Sequence, residues 1–362
     1  MIRIGECDVK DEIKYLIIRL VRELSNCVYG CRKLTIENNS DIVFEQKECK
    51  ETFAGIEAIP LTEQFWGVGA LAVDGMVYFI PANGGQILSF EEKTQKIETF
   101  GDFSRGDLLF SNGVLYKEKI YILPRKANSV VEVDYKQKSC REIELGTEFK
   151  TEHHYSGIVT ENGIVYMPPR NTNTILKIDL NSMLSKEIPI GFKFKRSWLK
   201  YRYSGIVYHT NRLVYMIPEY DERVIKFNPE TEEICFVGQY LKDTRVIAPV
   251  EAKDGNIYGY LMFDSGIIKI DIKNESVEII ERGNVGRSCG TVNAINGKLY
   301  NIPAYDNEIY EFDVDKKIAK RVDLVDGLNC DKAACAMGVN GNDGRIYATP
   351  CHGNKLVIYK FV

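Results

Sequence analysis

Cations and aromatics recur at one phase along this chain. Trp66, Arg105, Tyr155, Arg202 with Tyr203, Arg245, Arg287 and Lys332 each stand just ahead of a short run of small or apolar residues. A guanidinium grips carboxylate or phosphate at two points, and an aromatic face stacks on a ring or receives a cation. A second set follows another apolar run: Arg125, Lys126, Arg170, Glu219, Tyr220, Asp221, Tyr305 and His352. Its charges are mixed, so a site built from both sets is asymmetric, basic on one side and more acidic on the other. Such a site suits an anionic small molecule, a glycan or an acidic peptide. The competing reading has the arginines and tyrosines packing inside the fold and pairing with acids such as Asp107.

Acid–base and metal chemistry have fewer carriers. The four histidines are His153, His154, His209 and His352. His154 and His352 are the candidate bases, joined by Glu152, Glu219 or Cys351, with a divalent metal as the one cofactor such a set would accept. His153 and His154 are adjacent and point apart on an extended chain, so both holding one ion is disfavoured. No serine-centred nucleophile motif, phosphate loop or HExxH helix is present. Residues 192–203 interleave cations and aromatics with no acid, from Phe192 to Tyr203. That pattern binds anions, or packs its aromatics on the fold while the lysine heads reach water. With a net charge of −4, the chain has no broad basic field for nucleic acid.

These residues are positioned by a repeat. Tyr78, Tyr121, Tyr166, Tyr215, Tyr258, Tyr300 and Tyr347 lie 42 to 49 residues apart, each near the end of an apolar run. Six of the seven are followed three residues later by proline, as in Tyr78-Phe-Ile-Pro81; the exception is Leu261. Proline cannot donate a ladder hydrogen bond and so marks a strand end. A third strand follows, as in Ile267-Ile-Lys-Ile-Asp271, then a more polar fourth, as in Lys96-Ile-Glu-Thr-Phe100. The first strand is small and apolar, as in Gly69-Ala-Leu-Ala-Val73. A period of about 40–50 residues with four short strands predicts an all-β, seven-bladed β-propeller; six blades with one degenerate unit is the rival.

The last unit ends at Val362 after three strands, which predicts that residues 47–56 supply the fourth and close the ring. The expected organisation is therefore an N-terminal helix and linker over 1–46 and a propeller over 47–362. Ile13, Leu16, Ile17, Leu20, Val21 and Leu24 form the apolar stripe of a helix over 8–25. That helix is read as a cap on the ring, or as a surface for a protein partner or a second copy. A short strand is expected near Arg32–Ile36. No secretory leader or membrane-length apolar run is visible, and ten irregularly spaced cysteines suit reduced thiols, so a cytoplasmic location is expected.

The repeat resembles the broad propeller superfamily that includes kelch, YncE-like and lyase-type propellers, over residues 47–362. The paired glycines and tryptophan of kelch units, the Trp-Asp dipeptide and the Asp-box are absent, so no catalytic residue carries over. The resemblance implies one face built from the loops leading into each first strand and the loops joining second and third strands. The two sets of candidate residues would then ring a channel mouth. The expected function is a non-catalytic binding propeller holding an anionic ligand or acidic partner there. The alternatives are a lyase or hydrolase acting on a polar glycan or cyclic ester through a histidine base, and a pure protein-binding scaffold.

Overall fold

The structure, a computed structural model, describes residues 32–37, 41–46, 51–146, 156–191, 202–220, 222–242, 244–281, 283–328 and 333–362, the first two as backbone. Each tyrosine-centred unit forms a four-stranded antiparallel sheet, and seven such sheets make the blades of a β-propeller. Within a blade the strands hydrogen-bond in chain order, as in blade one: Gly67–Val73, Met76–Pro81, Gly84–Glu91 and Ile97–Arg105.

Small residues let the first strands crowd the axis. A Cβ on Gly290 would sit 3.1 Å from the Met337 Cα of the next blade. The second-strand tyrosines are buried, because each ring fills a core between neighbouring blades. Several hydroxyls still find acceptors: Tyr258 donates to Asp254 at 2.8 Å and Tyr347 to Asp343 at 2.8 Å. A large apolar body with one polar handle is what this position requires. Burial pushes the Tyr78, Tyr121 and Tyr166 hydroxyls up to about 12.

Blade seven confirms closure. Its strands Cys335–Asn340, Ile346–Pro350 and Gly353–Phe361 are completed by Phe53–Phe65 from the N-terminal side. Phe53 pairs with Phe361, Ile56 with Tyr359 and Ile59 with Leu356. The closing strand thus begins at Phe53 rather than at 47 and runs on to Phe65, opposite Gly353. The closing strand outruns its nine-residue partner because the register breaks between Pro60 and Phe65, leaving the residues between them out of the ladder. Across the seam, Val77, Phe79, Leu88 and Phe90 pack on Tyr347, Leu356 and Ile358.

The short strand expected near Arg32–Ile36 is Arg32–Glu37, paired with Asp41–Gln46 in a separate two-stranded sheet. The helix expected over 8–25 lies outside the described residues. Among the described residues no helix is long and apolar enough to cross a membrane.

Candidate functional site

Because proline ends most second strands, the next residue carries the first free backbone N–H of the loop. That N–H bonds the carbonyl of the residue leading into the same blade's first strand. The pairs are Ala82 to Trp66 (2.9 Å), Arg125 to Leu109 (2.8 Å), Glu219 to Arg202 (2.6 Å), Met262 to Arg245 (2.9 Å), Ala304 to Arg287 (3.3 Å) and Cys351 to Ala334 (2.9 Å). The two kinds of loop are thereby pinned together at one end of the channel. Leu261, the exception to the proline rule, uses its N–H to close a longer loop onto Gly266 at 3.0 Å. That loop carries Phe263, 47 % exposed.

The pinning bond shows which residue occupies the expected phase. In blade two it is Leu109; Arg105 ends the outermost strand of blade one, exposed and paired with Asp102 at 3.2 Å. In blade seven it is Ala334. Lys332, Tyr155, His153, His154 and residues 192–201 lie outside the described residues. Asp107 pairs with Lys126 at 2.6 Å rather than with an arginine. Tyr203 is in the core between blades three and four, its hydroxyl donating to the Arg223 carbonyl at 2.9 Å.

What remains is a continuous charged and aromatic run on one face. Arg125 and Arg170 follow the second strands of blades two and three and are buried. In blade four the equivalent residue is Glu219, completely buried. Burial raises its carboxyl above the usual range, while Arg245 and Arg170 pull it back. Arg245 reaches across from blade five, its Nη1 3.1 Å from Glu219 Oε1. Its guanidinium also lies 5.0 Å from the Phe263 ring centre. Phe263 stands 5.8 Å from Tyr305, and the Arg287 guanidinium lies 5.4 Å from the Tyr305 ring. Arg287, exposed, donates to the Tyr305 carbonyl at 2.8 Å. Its backbone N–H caps Asp306 at 2.7 Å, whose carboxyl burial raises. Arg202 is buried beside Glu222; burial lowers its guanidinium and Glu222 opposes the shift.

Blades seven and one supply a second aromatic pair. The Trp66 and His352 rings are 4.2 Å apart, tilted by 43°. The Trp66 indole also hydrogen-bonds Cys351, whose thiol burial pushes up to about 12. Cys289 is fully buried and raised in the same way. Both thiols stay protonated at neutral pH and are poor nucleophiles. His209 lies elsewhere, bonded to the Gly255 carbonyl at 2.9 Å in a loop between first and second strands. Among the described residues no three His, Cys, Asp or Glu side chains are grouped to hold a metal ion.

The arrangement gathers guanidiniums, one carboxylate among them, and neighbouring aromatic faces. The sequence points to Arg125, Arg170, Arg202, Arg245, Arg287 and His352, and offers Glu219 without ranking it. It missed Phe263, for which the missing proline at Leu261 was the available signal.

The fold is shared with proteins of unrelated description. Virginiamycin B lyase from Staphylococcus aureus is 13 % identical, with a TM-score of 0.67 over 85 % of this chain and 99 % of that one. The extracellular domain of a hybrid two component system from B. thetaiotaomicron is 12 % identical, with a TM-score of 0.64 over 88 % of this chain and 44 % of that one. Hydrazine synthase from Kuenenia stuttgartiensis is 13 % identical, with a TM-score of 0.63 over 83 % of this chain and 97 % of that one. At such identity the likeness extends to the fold alone. No curated protein sequence matches this chain. The profile of one family, described as a domain of unknown function (DUF5074), matches residues 69–349, and the chain belongs to that family.

Proposed function

We propose that this chain is a non-catalytic binding propeller that holds an anionic ligand or an acidic partner segment at the channel mouth. The observation that carries this is the unbroken run Arg170–Glu219–Arg245–Phe263–Tyr305–Arg287 across four blades on one face. Arg202 is buried and Arg245 is largely covered, so they serve as the floor that sets the potential; Arg287, Phe263 and Tyr305 make the contacts. Guanidiniums held in a poorly solvated place attract an anion far more strongly than exposed ones.

Thermal melting of the full chain against carboxylates, phosphates and acidic sugars tests the reading. A ligand at a hundred times its dissociation constant adds about 2.7 kcal/mol. Arg287→Ser, at an exposed position, should keep the fold and weaken that ligand about tenfold. Silence across the whole panel would refute the reading in favour of a protein-binding scaffold.

A second reading is a propeller lyase or hydrolase with His352 as its base. It draws on the fold shared with virginiamycin B lyase and on the position of His352 beside Trp66 on the mouth face. His352→Ala should then abolish turnover of a bound ligand while leaving its affinity within a few fold; no turnover in the wild type removes this reading.

A further inference from the structure

One position beside the repeat tyrosine changes from blade to blade. The third-strand residue paired with that tyrosine is Lys177, Lys226 and Lys269 in blades three, four and five, and Ser89 in blade one. Lys269 shows what the lysine does. Its Nζ lies 3.2 Å from Glu278 and 3.8 Å from Asp271, on the fourth and third strands of its blade. The Lys177 Nζ lies 6.0 Å from the centre of the Tyr166 ring. Blade one carries acids at both of the blade-five places. Glu98 is the ladder partner of Ser89 as Glu278 is of Lys269, and Glu91 stands two residues after Ser89 as Asp271 does after Lys269. Serine brings no ammonium to them; its hydroxyl donates to the Glu98 carbonyl at 3.1 Å.

A cleft of about 380 Å³, open to solvent, lies at this place between blades one and two. Met76 and the rings of Tyr78 and Tyr135, 5.8 Å apart, form its floor, and Asp74, Glu91 and Glu98 stand in its wall. Asp74 is in the turn after the first strand and Tyr135 in the hairpin after the third, so the cleft lies at the end of the blades away from the mouth. At the rim, Lys96 and Lys138 both pair with Glu98, and Lys136 pairs with Glu118. Asp74 accepts the Tyr135 hydroxyl at 3.3 Å and Glu91 accepts the Thr94 hydroxyl at 2.6 Å; neither carboxylate has an ion-pair partner among the described residues. Two such carboxylates beside ring faces recognise a cation, because the ring quadrupole adds to the charge. A water takes about 30 Å³ of liquid, so the cleft has room for a small organic molecule.

We propose that this cleft binds a small organic ammonium, its head at Asp74 and Glu91 and its chain along Met76, Tyr78 and Tyr135. The ligand takes the part that the lysine side chain plays in blade five. The site is separate from the mouth and stands or falls independently of it.

The lysine side chain as a free molecule is n-butylammonium, which makes it the probe. Ligand-detected NMR titration of the full chain should show it binding about tenfold more tightly than n-butanol or butyrate, the usual scale of a charge-assisted contact. Asp74→Asn should weaken it about tenfold for the same reason. Asp74 sits at φ +53°, which asparagine also adopts, so that variant should fold. Ser89→Lys, which installs the lysine of the other blades, should abolish binding. Equal binding of n-butanol, or tighter binding of butyrate, would overturn recognition of a cation. No binding of n-butylammonium would overturn the site itself. Binding that both variants leave unchanged would place the amine elsewhere and overturn the assignment; should Ser89→Lys fail to fold, Asp74→Asn decides it.

Discussion

Replacing Arg245 by methionine should expose how the floor of the mouth is held. Methionine keeps much of the apolar stem and removes the guanidinium that lies 3.1 Å from Glu219 and 5.0 Å from the Phe263 ring. The carboxylate stays completely buried with Arg170 as its remaining named cation. Removing one partner of a buried pair costs about 3–5 kcal/mol, because the other charge is left uncompensated. For a ring of about 310 residues from Phe53 to Phe361, the entropy of unfolding near the midpoint is roughly 0.65 kcal/mol/K, so the melting temperature should fall by about 5–8 °C.

The loss should depend on pH with a definite sign. Burial already raises the Glu219 carboxyl, and Arg245 lowers it; without Arg245 it rises further. An acid whose folded pKa lies above its unfolded value favours the fold in its protonated form. Stability from that group is present below the unfolded pKa, about 4.3, and is lost as pH rises from there through the folded pKa. Arg245→Met should therefore be least damaging near pH 4.5 and most damaging near pH 8. Adding Glu219→Gln should recover more than half of the loss at pH 8, read as a double-mutant cycle from denaturant titrations. An equal loss at both pH values, with no recovery in the double variant, would refute the buried pairing.

Two further outcomes follow from the same packing. A Cβ on Gly67 would lie 2.7 Å from the Pro350 carbonyl oxygen across the closing seam, so Gly67→Ala should cost about 1–3 kcal/mol by thermal melting, whereas Gly146→Ala, with nothing nearer than 3.5 Å, should be near neutral. Native protein at pH 8 should leave Cys289 and Cys351 unlabelled by a thiol reagent, both reacting once the chain is unfolded; fast labelling of either in the native state would contradict their burial.

Much of the architecture was legible because it is periodic. Tyr, Pro and the small residues of the first strands each answer a local demand repeated seven times: a core-filling ring with a polar tip, a strand stop, and room at a crowded axis. The need for a closing strand followed from counting strands in the last unit. Its start at Phe53 rather than 47 did not, because register is set by pairing with the Gly353–Phe361 strand and not by the segment's own pattern. The mouth was legible only in outline. Arg105 stands within a few positions of the right phase, and the loops leading into first strands vary in length, so spacing alone could not reject it. In blades two and seven the backbone bond that pins the loops picks Leu109 and Ala334 instead.

By itself the sequence determined the fold class and the number of blades, and it carries no recognisable catalytic motif. These follow from local periodicity, which neighbouring residues alone can express. Only the tertiary structure decided that Arg245 reaches Glu219 in another blade, that Phe263 and Tyr305 stand side by side, and that Trp66 meets His352 across the seam. Each of those contacts joins residues dozens to hundreds of positions apart, the first two brought together by the packing of neighbouring blades and the last by the closure of the ring, and no pattern within a single repeat encodes such a meeting.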